Sequence, residues 1–72
     1  MIAAKVNNLI MARLEKGLDR SSLAKMCGVS HAIIVRIEQG AGTSPKTAKS
    51  ISDVLGKPVN ELFDFIPRRR SA

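Results

Sequence analysis

The chain has little of what catalytic, metal-binding or disulfide-built proteins rely on. Its 72 residues hold one cysteine, one histidine, two phenylalanines, and neither tryptophan nor tyrosine. A single cysteine, Cys27, excludes an intrachain disulfide and any zinc site built on cysteines. Cys27 falls on an apolar helical stripe, where a thiol behaves as a small hydrophobe, with redox sensing as the alternative. Ser21, Ser22, the lone His31 and the aspartates stand in no catalytic motif. No glycine-rich phosphate loop or paired-carboxylate pattern occurs, so no enzyme, metal or cofactor is expected. No apolar run reaches the length of a membrane span and no signal peptide precedes the first helix. The expectation is a soluble, cytoplasmic protein. No β-period and no internal repeat appear, which points to an all-α fold.

Acidic residues are also scarce. Six stand against twelve basic ones, for a net charge of +6 and a pI near 10.3. Arg68, Arg69 and Arg70 carry three of those charges, which leaves the folded body at about +3. A basic excess suits a polyanionic partner, though it also fits a membrane surface or simple solubility. At this length the chain is one small domain, near the lower limit for a self-sufficient hydrophobic core.

What is present concentrates between Arg20 and Gln39, RSSLAKMCGVSHAIIVRIEQ. Leu23 and Cys27 lie one helical turn apart and face one core. Ala24 is small enough for a second helix to approach closely. Gly28 can take the left-handed conformation that ends one helix and turns the chain. Val29 plugs the elbow, Ser30 caps the next helix, and Ile34 with Ile37 anchor that helix inward. The spacing is that of a helix-turn-helix, and it leaves the opposite face of the second helix free to enter a DNA major groove.

The flanking segments read as helices too. Ile2, Val6, Leu9 and Arg13 mark one face of a first helix from about Ile2 to Lys16, which Gly17 ends. Asp19 caps the second helix, which stops at Gly28. The third runs from about His31 to Gln39 and closes at Gly40. Ala41-Gly42-Thr43 reads as a loop, and Ser44-Pro45 opens a fourth helix. Its inner stripe is Ala48, Ile51, Ser52 and Leu55, with Gly56 as its end. Pro58 starts a short fifth helix whose Val59, Leu62 and Phe63 point inward. The resulting architecture is a compact five-helix domain over residues 1–66, followed by a basic, poorly ordered tail over 67–72.

Several of these residues recur in one family pattern: Arg13 with Gly17-Leu18, then Leu23-Ala24, Gly28-Val29-Ser30, and Ile34 through Gly40. Leu55-Gly56 and Glu61-Leu62-Phe63 continue it. From about Val6 to Phe63 the chain resembles the Xre/Cro-type helix-turn-helix family of phage and bacterial repressors. The resemblance implies a lambda-repressor-like domain whose third helix lies in the major groove of double-stranded DNA. It places base readout on His31, Ala32, Val35 and Arg36. An arginine there can bond bidentately to guanine O6 and N7, and His31 can donate to a purine N7 or a phosphate. Ala32 and Val35 can make only apolar contacts, for example with a thymine methyl. Arg20, Ser30, Gln39, Thr43 and Lys46 match backbone-contact positions, Arg20 standing where the family usually has glutamine. The helix start near Pro45 would offer N–H groups to a phosphate. Arg13 and Glu38 match a partly buried ion pair that ties the first helix to the third.

Two features depart from the family pattern. Ala32, Ile33 and Val35 make the reading face apolar, and Ala41-Gly42-Thr43 lacks the basic residues many relatives carry. Fewer phosphate contacts imply a shallow salt dependence, which the arginine tail could offset. A half-site module of this kind usually pairs about a two-fold axis. Phe65 and Ile66 are the preferred homodimer contact, with Ile10 and Leu14 as the other patch. The leading reading is a dimeric DNA-binding repressor encoded by a bacterium, phage or mobile element, with a protein antirepressor as a conceivable partner. The alternative is a protein-interaction module or antitoxin that uses the apolar face of the same fold.

Overall fold

The computed structural model describes residues 2–65. Five helices and three short strands follow in the order β1 (Ile2–Ala4), α1 (Val6–Glu15), α2 (Arg20–Cys27), α3 (His31–Glu38), β2 (Gly42–Thr43), α4 (Pro45–Leu55), α5 (Val59–Leu62) and β3 (Phe63–Phe65). The domain is therefore mostly helical rather than all-α.

The helix boundaries follow from local chemistry. Asp19, Ser30 and Ser44 each sit in extended backbone and accept a hydrogen bond from an N–H of the following first turn: Ser22 at 2.7 Å, Ile33 at 3.3 Å and Thr47 at 3.2 Å. Pro45 occupies the start of α4, where its missing N–H costs nothing. Gly28 ends α2 at φ 72°, a left-handed conformation that a side chain would resist. The next residue, Val29, donates its N–H to the Ala24 carbonyl at 3.0 Å and packs against the core. The elbow between α2 and α3 is thereby fixed.

The sheet departs from the helical expectation. β1 lies between β2 and β3 and is antiparallel to both. Ile2 faces Thr43 on one side and Phe65 on the other; Ala3 faces Gly42 and Asp64; Ala4 faces Phe63. The first helix thus begins at Val6, not Ile2, and residues 42–43 are strand rather than loop. Phe63 is the first residue of β3, at φ −138° and ψ 149°, rather than the end of α5. At the junction of β1 and α1 the Lys5 N–H donates to the Leu62 carbonyl at 2.8 Å, and Lys5 Nζ donates to the Asn60 carbonyl at 2.9 Å. Backbone pairing that Ile2–Ala4 could not obtain from one incipient helical turn is supplied on both flanks by the sheet.

The core gathers Leu9 and Ala12 of α1, Leu23 and Ala24 of α2, Ile34 and Ile37 of α3, Ala48, Ile51 and Leu55 of α4, Leu62 of α5, and Ile2 and Phe63 from the strands. Aliphatic side chains fill nearly all of it. Three polar side chains are buried with it, Arg13, Glu38 and Ser52, and of these the Ser52 Oγ on α4 finds no hydrogen-bond partner among the described residues. A buried hydroxyl without a partner is destabilising, and serine is a weaker helix former than alanine. Ser52→Ala should raise stability by about 1 kcal/mol. A melting temperature at or below that of the parent chain would contradict this.

Candidate nucleic-acid interface

Helix α3 divides along its length. Ile34, Ile37 and Glu38 are buried, while His31, Ala32, Ile33 and Arg36 are exposed and Val35 is half-buried. Ala32 and Arg36 are four residues apart, as are His31 and Val35, so the four proposed readers share a stripe turned away from the core. Ile33 is 36% exposed, so it adds apolar surface beside that stripe.

Around the stripe lie the polar groups singled out for backbone contact. Arg20, Ser30, Gln39 and Lys46 are exposed, and Thr43 is half-buried in β2. The Ser30 oxygen is engaged as the cap of α3, which leaves its hydroxyl proton to donate. At the start of α4 only part of the expected N–H array is free. Pro45 has no N–H, that of Thr47 is taken by the Ser44 side chain and that of Ala48 by the Ser44 carbonyl. The Lys46 N–H remains without a partner among the described residues.

Beneath the stripe, three helices meet at one carboxylate. Glu38 Oε2 accepts from Arg13 Nε at 2.8 Å, and Glu38 Oε1 accepts from Arg13 Nη2 at 3.3 Å. Arg13 Nη1 donates to the Leu18 carbonyl at 2.9 Å, so the buried guanidinium is held at all three nitrogens. A further bond had no sequence signal: Arg20 Nε, from the first residue of α2, donates to the same Glu38 Oε1 at 2.9 Å. Arg20 is therefore tied to the α1–α3 ion pair rather than standing alone on the surface.

A shallow hollow, lined by Arg13, Asp19, Arg20, Ser21 and His31, opens beside this network. Asp19 and Ser21 were not among the expected contact residues; their proximity to His31 depends on how α2 crosses α3. The Ser22 backbone N–H, and then the Ser22 hydroxyl, hold the Asp19 carboxyl below the usual carboxylate range. Its charge also favours the N-terminus of α2. Cys27 is half-buried, and that burial pushes its thiol up, which suits packing over nucleophilic chemistry. Among the described residues no group of three or more metal-ligating side chains occurs, and no helix is long and apolar enough to cross a membrane.

Phe65 lies on β3, an outer strand of the sheet, and is 58% exposed. Ile66, the other proposed dimer contact, and Arg68 to Arg70 fall outside the described residues. On α1, Leu14 is 57% exposed and Ile10 half-buried, so the alternative patch is partly available.

Two capped helices joined at a left-handed glycine, the second anchored by two isoleucines with its outer face clear, define a helix-turn-helix DNA-binding module. A family model described as helix-turn-helix matches residues 9–62. The chain belongs to this Xre-like helix-turn-helix family of DNA-binding regulators, a class that is typically non-enzymatic. No curated protein matches the chain.

Proposed function

We propose that the protein is a sequence-specific transcriptional repressor of a phage or mobile element, acting in the cytoplasm as a homodimer. Helix α3 enters the major groove, with Arg36 on a guanine and Ala32 and Val35 against thymine methyls. His31 donates to a purine or phosphate at the edge of the groove. Arg20, Ser30, Gln39, Thr43 and Lys46 contact the sugar-phosphate backbone on either side. The observation that carries this reading is the exposed stripe of α3 set against its buried Ile34 and Ile37. Phe65, exposed on an outer strand, supports a two-fold contact between copies, with Ile66 beside it in sequence.

Selection of bound sites from random duplex DNA, with the mass of the complex determined in parallel, tests the proposal. The expected result is an inverted repeat with half-sites about one helical turn apart, bound by two chains. Arg36→Ala should cost about 1–3 kcal/mol of specific affinity and relax the preference at one base position. An unchanged preference would remove Arg36 from the reading set.

The apolar exposure of Ile33 on α3 and of Met26 on α2 favours a second reading, a docking face for a partner protein. Absence of any enriched sequence above a salt-sensitive background would select it.

A further inference from the structure

We infer that Glu38 is a positioning residue for DNA binding: it holds the Arg20 guanidinium so that its terminal amino groups face a phosphate. The inference rests on the DNA-binding reading above and assigns Glu38 a task beyond the α1–α3 ion pair.

Three observations carry it. Glu38 is itself immobilised, with a side chain 2% exposed and both oxygens bonded to Arg13. Arg20 attaches to it through Nε alone, at 2.9 Å, while its side chain stays 49% exposed. Neither Nη group of Arg20 has a hydrogen-bond partner among the described residues, and the residue borders the hollow it shares with His31 and Ser21. A guanidinium is a rigid planar fork, so fixing Nε sets the direction of both Nη groups. Two arginines against one carboxylate leave the network at a net +1, and that surplus charge belongs to the exposed member. An unrestrained arginine would lose side-chain freedom on meeting a phosphate; this one has lost much of it on folding. Asp19, which lines the same hollow, is engaged by the Ser22 N–H. Lysine could supply the charge at position 20 but not the fork, since one ammonium cannot reproduce an Nε bond inward and two Nη bonds outward.

Affinity for a short random-sequence duplex is measured across a salt series, because a phosphate contact acts on every sequence alike. Arg20→Ala should weaken binding about tenfold and make the dependence of log K on log salt shallower by about one. Arg20→Lys keeps the charge, so the slope should match the parent chain while affinity still falls about fivefold. Both variants should retain the parent's far-ultraviolet dichroism. Lysine within twofold of the parent would show that Arg20 is only a point charge and would overturn the inference. So would an unchanged affinity in Arg20→Ala.

The role of Glu38 is read from coupling. In Arg13→Met with Glu38→Leu, which removes the acceptor and leaves no buried charge, Arg20→Lys should cost less than twofold. An undiminished cost would mean that Glu38 does not position Arg20. If the parent chain binds no duplex at all, the DNA-binding reading fails and the inference with it. If the parent binds and the Arg20 variants bind equally well, the inference fails alone.

Discussion

Glu38→Ala is expected to remove most of the domain's stability at room temperature. The variant would keep the Arg13 guanidinium buried, its side chain 9% exposed, with the Leu18 carbonyl as its remaining partner. Removing one member of a buried ion pair costs on the order of 3–5 kcal/mol, because the charge left behind is desolvated and unpaired. A domain of this size holds about 5 kcal/mol in total, so the loss consumes most of it. Denaturant titration followed by circular dichroism measures this directly. A midpoint close to that of the parent chain would mean that Arg13 escapes to solvent when its partner is removed. Replacing both residues by apolar ones of similar volume, as in Arg13→Met with Glu38→Leu, should recover most of the stability, since no charge remains buried.

Ala3→Pro has the second-largest expected effect, and it separates strand from helix at the N-terminus. Were Ile2 to Lys16 one helix, proline at its second residue would sit in the first turn, where no N–H bond is lost. In the observed fold Ala3 occupies the middle of the central strand, opposite Gly42 on one flank and Asp64 on the other. Its N–H has a ladder partner whichever way the pairing alternates, and proline in a central strand removes that bond and crowds the neighbour. The expected loss is on the order of 2–3 kcal/mol, from the lost ladder bond and the displaced strand. Thermal unfolding of the variant beside the parent reads it. Equal stability would argue that β1 contributes nothing to the fold.

The contrast between these two sites shows which parts of the protein the sequence discloses. Arg20 to Gln39 was readable because each position there answers to a local constraint: a cap at Ser30, a left-handed turn at Gly28, a shared face for Leu23 and Cys27. The helices α4 and α5 were readable for the same reason, α4 through Ser44-Pro45 and Gly56 and α5 through Pro58. The sheet was not. Strands of two or three residues hold too little alternation to register against a helical period, and Ile2, Val6 and Leu9 mimic a helical face. Pairing with residues 42–43 and 63–65 decides the conformation of Ile2–Ala4, and no local window contains those partners. The interface divides similarly. The exposed stripe of α3 follows from helical geometry once Ile34 and Ile37 are seen to be inward. That Arg20 reaches Glu38 depends on the crossing of α2 and α3 and on the reach of a long side chain, which residue spacing does not encode.

The position of β1 also orders how the chain can assemble during synthesis. This strand is made before either of its neighbours, and one of them, β3, comes only after all five helices. Contacts within the helix-turn-helix are local and can form as soon as α3 has emerged, whereas pairing Ile2 with Phe65 must close nearly the whole described chain into one loop. Until Phe63–Phe65 leave the ribosome, α3 can exist while Ile2 stays uncovered. Completion of the domain therefore waits on its ends rather than on its helix-turn-helix.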